Sequence, residues 1–277
     1  MLEGRQSLAT SNVLDGLFAD DRTHDTHGVA IPRPEIHIVV RFGSVAHGGL
    51  DAHAMGVRDH VHRKVIRRGQ RTVMARLRLG THEAVLGVPA SAIVGRAIPL
   101  EDLWGDAVCR RLFDRLARAR DATEAALTLE RVIAERAAST PHESDHTQLA
   151  RAAAERLARS PVSNVAEDLG VSERHLRRVF RESFGIGPKT FAKLRRFQHA
   201  IEAAQTGRDG GWAGVALSAG YYDQAHLIGE FRTIAGTTPR ALLVELSRAR
   251  SQALEEREER ATTCLRVNLH ESPIRVA

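Results

Sequence analysis

The chain has 277 residues, 43% of them hydrophobic, and a formal net charge of +6. That length gives room for two domains with a core in each. No run of about 18 apolar residues is present to span a bilayer, and the opening stretch MLEGRQSLATSNVLDGLFADDR has no apolar segment of signal-peptide length. The expectation is therefore a cytoplasmic protein with no membrane partner.

Only two cysteines occur, Cys109 and Cys264, far apart and without CxxC or His-partnered spacing. This excludes a disulfide scaffold and a Cys-type zinc site, as in a reduced compartment. Counted as Lys and Arg minus Asp and Glu, residues 1–144 give 20 − 18 = +2, residues 145–250 give 16 − 11 = +5, and residues 251–277 give 4 − 5 = −1. The positive excess lies in one segment, as expected of a module that meets phosphates.

Residues 1–30 are polar, show no clear period and read as partly irregular. Beyond them Ile36, Ile38, Val40 and Phe42 alternate with His37, Val39 and Arg41, the period of a strand with one buried face. Val73, Ala75, Leu77 and Leu79 alternate with Met74, Arg76 and Arg78 in the same way, and residues 58–66 hold a third strand. Glycines at 43, 48, 49, 56, 69 and 80 punctuate these runs as turns do. Residues 31–80 thus read as a small antiparallel β unit.

Residues 81–99 read as a short helix and a loop. Residues 101–120 form a helix with Leu103, Ala107, Leu112 and Leu116 among its apolar positions, and residues 121–138 another with Ala125, Leu129, Val132 and Ile133. The sequence predicts a small β-rich, α+β regulatory unit over 1–138, β-rich to about 80 and helical over 101–138. Residues 139–146, small and polar around one Pro, are the linker. An all-α unit follows over 147–250, and residues 251–277 start as a Glu- and Arg-rich helix and end in a tail expected to be disordered.

Within the all-α unit one pattern occurs twice. The first copy reads VAEDLGVSERHLRRVFRESFGIGPKTF from Val165, the second VALSAGYYDQAHLIGEFRTIAGTTPRAL from Val215. Leu176, Phe180, Arg181, Gly185, Pro188 and Phe191 recur as Leu227, Phe231, Arg232, Gly236, Pro239 and Leu242. The offset is 50 before the turn and 51 after it, so the second copy carries one extra turn residue. Val165, Ala166 and Leu169 give a short helix with one apolar face. Gly170 follows at the position where a left-handed backbone ends a helix. Ser172, matched by Asp223, caps the next helix, whose Leu176, Val179, Phe180 and Ser183 make a buried stripe. A short helix, a tight turn and an amphipathic second helix make a helix-turn-helix, whose second helix lies in the DNA major groove. A linking helix over 188–205, ended by Gly207, joins the two copies.

The polar face of the second helix supports a DNA reader over a packing module. Arg174, Arg177, Arg178 and Arg181 stand at i, i+3, i+4, i+7, and four guanidiniums on one face repel unless an anion meets them. Arg also pairs bidentately with guanine in the major groove.

On these residues the segment from 145 to 250 resembles the DNA-binding domain of the AraC/XylS family of bacterial transcription regulators. The likeness is carried above all by A-x-x-x-G-Y-Y-D-Q-A-H-L through F-R-x-x-x-G-T-T-P in the second copy. The passage from 76 to 105, with GVPAS and PLEDLWG, resembles less closely the N-terminal domain of a subgroup of such regulators. The resemblance implies two helix-turn-helix motifs joined by a long helix, and a sequence-specific transcription regulator, activator or repressor, modulated through its N-terminal domain. Its implied partners are double-stranded DNA, RNA polymerase, a small-molecule effector and a second copy of the chain.

One departure from the family pattern changes the expected readout. Carrying the arginine face into the second copy gives Ala225, Ile228, Gly229 and Arg232, where relatives place Arg or Lys at Gly229. We therefore expect an asymmetric reader. Arg174, Arg177 and Arg178 contact bases, joined by Gln224 and His226, with Ala225 or Ile228 against thymine methyls. Ser172, Arg181, Asp223 and Arg232 contact the DNA backbone.

The remaining constellations carry less. His53, His60 and His62 lie close in HAMGVRDHVH but have no third ligand at defining spacing, so no metal or other cofactor is expected. No G-x-S-x-G, P-loop, dinucleotide fingerprint or HExxH is present, and no catalytic residue is assigned. Trp104 reads as a core or interface anchor, and Trp212 as packing within its own domain. Two rivals stand beside the specific regulator: an architectural DNA binder, and a ligand-binding N-terminal domain with ancillary DNA binding.

Overall fold

The structure, a computed structural model, describes residues 12–22, 24–43, 49–139, 145–157, 160–207 and 210–252. The tail beyond residue 252 and most of the expected linker, 140–144, lie outside the described residues. Strands β1 (Leu14–Asp21), β2 (Thr26–Ala30), β3 (His37–Phe42), β4 (Leu50–Met55), β5 (His62–Ile66), β6 (Arg71–Leu77) and β7 (Ala97–Pro99) form two antiparallel sheets. The larger runs in the order β1-β6-β3-β4-β7, and β2 pairs with β5 in a two-stranded ribbon.

The β unit therefore starts earlier and ends later than the hydrophobic alternation indicates. Residues 1–30, expected to be partly irregular, include both β1 and β2. The acidic look of β1 is resolved in three dimensions: Asp20 is buried and accepts from Arg22 Nε at 2.7 Å. A charge that finds its partner two residues away can enter an interior. In the large sheet Leu17 faces Ala75, Ile38 faces both Ala75 and Ala54, and Val40 faces both Val73 and Ala52. These side chains turn to one side and form the core with the helices behind them.

The expected helix over 101–120 is two helices, α2 (Leu100–Trp104) and α3 (Asp106–Ala117), because Gly105 takes φ 79 between them. Helix α1 (His82–Leu86), the 3-10 turn Ala90–Ala92 and α4 (Ala122–Ala138) complete the N-terminal unit. Asp121 caps α4, its Oδ1 accepting from Glu124 N at 2.8 Å. Trp104 is the anchor expected of it. The ring is buried, Nε1 donates to Val85 O at 3.0 Å, and the Arg136 guanidinium lies 4.7 Å over it.

Helices α5 (Asp145–Arg156), α6 (Val162–Asp168), α7 (Glu173–Phe184), α8 (Pro188–Thr206), α9 (Trp212–Ser218) and α10 (Gln224–Ala235) follow, and a last helix, α11, spans 239–252. Among the described residues no helix is long and apolar enough to cross a membrane. The buried side chains fall into two clusters. The first runs from the large sheet through α4, α7 and the start of α8, ending at Leu194. The second holds Phe197, Ile201, Leu227, Phe231, Leu242 and Leu246, together with Val29 of β2.

Candidate nucleic-acid interface

In the first motif α6 buries Val165 and Ala166, and Gly170 turns the chain at φ 66. The Ser172 hydroxyl accepts from His175 N at 3.2 Å, starting α7. Leu176, Val179, Phe180, Ser183 and Phe184 are buried along one side of α7, and Gly185 closes it with φ 75. The opposite side presents Arg174, Arg177, Arg178 and Arg181, all exposed. Two of these guanidiniums have counter-ions on their own helix. Arg177 pairs with Glu173, and Arg178 Nη1 lies 3.0 Å from Glu182 Oε1. Arg178 Nη2 is also 3.2 Å from His175 Nδ1.

The second motif is built alike with different side chains. Asp223 caps α10 by accepting from His226 N at 2.7 Å. The extra turn residue brings two tyrosines with opposite fates. Tyr222 is exposed, whereas Tyr221 is buried and its hydroxyl donates to Glu230 Oε1 at 2.8 Å. Arg196 Nη2 of α8 donates to Glu230 Oε2 at 3.1 Å. Burial and the Glu230 carboxylate hold the Tyr221 phenol pKa above its usual range.

The exposed surface of α10 is sparse in donors. Gln224, Ala225 and Arg232 are exposed, while Ile228 is half-buried against the second core. Nothing lies within 4 Å of where a Cβ on Gly229 would stand. The His226 ring stands edge-on to Tyr221 at 5.3 Å, and its Nδ1 lies 3.5 Å from the Tyr222 amide.

Helix α8 holds the two motifs together through paired rings. Phe191 lies 5.3 Å from Phe180 of α7, and Phe197 lies 4.6 Å from Phe231 of α10. Trp212 opens α9 and is half-buried against the second core, packing within its own motif.

Several residues at the back of both motifs carry no signal in the sequence. Arg63 of β5 reaches Glu245 of α11, Nε to Oε2 at 2.8 Å and Nη2 to Oε1 at 3.2 Å, and its Nη2 also donates to Ala235 O at 3.1 Å. Val61 N donates to Ile234 O at 2.8 Å. Gln198 of α8, buried, donates through Nε2 to Pro32 O at 2.9 Å. A contact across 182 residues has no local spacing to betray it.

The histidine cluster is dispersed. His53 on β4 sits 3.5 Å from Asp51, His60 in a bend pairs with Asp59 at 2.6 Å, and His62 is in the other sheet. His60 and His62 do not share a strand, so their rings are not aligned on one face. Among the described residues no group of three or more His, Cys, Asp or Glu side chains is placed to hold a metal ion.

Residues 165–244 match a family model described as a helix-turn-helix domain. No curated protein matches the sequence. Among solved structures, ToxT from Vibrio cholerae O395 is similar at 10% identity, with 83% of this chain and 96% of that one covered and a TM-score of 0.40. Unsaturated fatty acid bound wild-type ToxT from V. cholerae strain SCE256 is similar at 11% identity, covering 86% and 96%, with a TM-score of 0.38. The AraC-like transcriptional activator CuxR is similar at 12% identity over 73% and 77%, with a TM-score of 0.21.

Proposed function

We propose that two unequal helices of one regulator read adjacent segments of the major groove; the premise is that residues 165–244 form an AraC-type helix-turn-helix domain, which makes the chain a DNA-binding transcription regulator. The observation that carries the proposal is the exposed arginine face of α7, set opposite its buried Leu176 and Phe180 stripe. On this reading Arg174, Arg177 and Arg178 contact bases and Arg181 the backbone. Helix α10 supplies Gln224 and His226 to bases and Arg232 to phosphate, and Ser172 and Asp223 bring the amide-rich helix starts to the backbone. Two such helices about one turn apart cover roughly 17–20 base pairs without needing a palindrome.

The N-terminal unit belongs to the same reading as the place where activity is set, by a small molecule or by a second copy of the chain. The regulator is cytoplasmic, performs no catalysis, and acts on RNA polymerase at the promoters it binds.

The test is selection of bound fragments from sheared genomic DNA of the source organism by the full-length protein at moderate salt. A shared motif of two half-elements about one helical turn apart is the expected result. Unrelated fragments with no common motif would point to an architectural binder. Within the recovered motif, Arg177→Ala and Arg178→Ala each cost about 1–3 kcal/mol and relax specificity at the first half-element. The asymmetry fails if those changes leave binding unaltered while Gln224→Ala or His226→Ala abolishes it.

A further inference from the structure

We infer that the N-terminal unit fixes the separation and phase of the two reading helices, so that it determines which half-site spacing the protein accepts. The inference rests on the proposed reading of DNA by α7 and α10. It comes from where the unit touches the helix-turn-helix region: behind the reading surfaces, at the C-terminal end of each recognition helix.

The first hold is on α7. This helix packs on the 3-10 turn Ala90–Ala92, and a Cβ on Gly185 would stand 2.9 Å from Ala90 O and collide with the Val94 side chain. Glycine is needed twice over here, for the left-handed turn and for the close approach. The hydrophobic core continues without a break from the sheet into Phe180, Phe184 and Phe191.

The second hold is on α10. Val61 N and Arg63 Nη2 donate to the carbonyls of Ile234 and Ala235 in its last turn, where the helix dipole favours a cation. Arg63 also grips Glu245 of α11 with both arms of its fork, and Val29 of β2 completes the second core. Between the two holds, Gln198 of the linking helix donates to Pro32 O, and Arg195 Nη1 lies 3.8 Å from Glu35.

The holds do not cover the side chains proposed to face the groove: Arg174, Arg177, Arg178, Arg181, Gln224 and Arg232 are all exposed. A rigid body that touches both helices from behind sets the distance and rotation between them. Adding one base pair between half-elements turns the second by about 34°, given 10–10.5 base pairs per turn. A held pair of helices rejects that change, and a pair joined by α8 alone adapts to it. Arg63 is accordingly a positioning residue for α10, acting through Glu245 and the Ala235 carbonyl.

The experiment uses the full chain and duplexes carrying the motif recovered from genomic DNA, with one or two base pairs inserted or removed between the half-elements. Wild type is expected to lose about tenfold or more per base pair of change, the range over which DNA deformation is felt as energy. Arg63→Ala keeps its affinity for the natural spacing within about threefold, as for a partly exposed pair, and flattens the spacing profile. The swap Arg63→Glu with Glu245→Arg restores the ion pair but not the carbonyl contact, and recovers part of the discrimination. Val29→Asp places a carboxylate in the apolar joint and flattens the profile further. Spacing profiles identical to wild type in Arg63→Ala and in a folded Val29→Asp overturn the inference while leaving the DNA-reading proposal intact. Absence of any shared motif with the wild-type protein instead removes the proposal on which it rests.

Discussion

Glu182 holds Arg178 in a forked contact, its two carboxylate oxygens 3.0 and 3.1 Å from the same Nη1. His146 of α5 approaches the same carboxylate, Nδ1 to Oε2 at 3.6 Å. The guanidinium proposed to read a base edge is thus already partnered, and on that reading DNA must displace a carboxylate to engage it. The competition weakens contact with any anion and leaves the better-matched site favoured. Glu182→Gln removes the competitor and one negative charge beside the arginine face of α7. Non-specific affinity is expected to rise about threefold to tenfold, more than specific affinity does, with a steeper salt dependence. Titrations of a random duplex and of the recovered motif at several salt concentrations check this.

Gly229 occupies a mid-helix position on α10, is exposed, and has open space where a side chain would extend. Gly229→Ala is expected to raise stability by about 1 kcal/mol, since glycine costs backbone entropy inside a helix. Gly229→Arg places a cation on the helix proposed as the weaker reader and, on that reading, adds affinity on top of that stability. Tm separates the first effect, shared by both variants, from DNA binding, which only the arginine improves. Equal binding by Gly229→Ala and Gly229→Arg places this position away from the DNA.

His82 carries a pH dependence into the contact between the N-terminal unit and α7. It is buried, its Nε2 has no partner, and it lines a gap of about 10 Å3 with Pro34, Leu77, Ser183 and Phe184. Burial pushes its imidazole pKa down to about 4. His37 is pushed down to about 3 by burial and by Arg76, Arg33 and Arg58. A histidine kept neutral in the packed state binds its proton more readily when unfolded, so between the unfolded value near 6.5 and the folded value the unfolded chain holds more protons. Stability is therefore intact above about pH 6.5 and falls as pH drops towards 4. Thermal unfolding across that window should show a shallower decline for His82→Leu than for wild type, with His37 supplying the remaining slope.

Legibility in the sequence follows the range of the interactions. The helix-turn-helix copies were readable because their determinants are local. Caps at Ser172 and Asp223, glycines ending α7 and α10, and the Leu176 and Phe180 stripe each act within one or two turns, and each stands as expected. Strand β1 was not readable, because Asp20 and Arg22 look like surface residues until their burial as a pair is known. Strand β4 hid for a different reason, since its buried positions include Ala52 and Ala54, too small to mark a period. The α2–α3 break turned on Gly105, one residue whose conformation no periodicity reports. The grip of Arg63 on Glu245 depends wholly on tertiary placement. The identity of the exposed arginines was legible, but their pairing with Glu173 and Glu182 emerged only with side-chain geometry.

Gly185 and Gly236 close the two recognition helices at equivalent positions of the repeat, with φ 75 and 68. Their surroundings differ. Around Gly236 nothing lies within 4 Å of a hypothetical Cβ, whereas at Gly185 the Cβ would run into Val94 and the Ala90 carbonyl. Alanine at Gly236 meets only the left-handed backbone cost, on the order of 1 kcal/mol. Alanine at Gly185 meets that cost and must also push α7 away from the 3-10 turn, adding about 1–3 kcal/mol of overpacking. Gly185→Ala is therefore expected to lower Tm by several degrees more than Gly236→Ala, measured by calorimetry on the full chain. If the inference about spacing holds, Gly185→Ala also widens the range of half-site separations bound, because it loosens the hold on α7, and Gly236→Ala does not. Equal Tm losses for the two variants would show that the close approach of α7 to Ala90 is absent in solution.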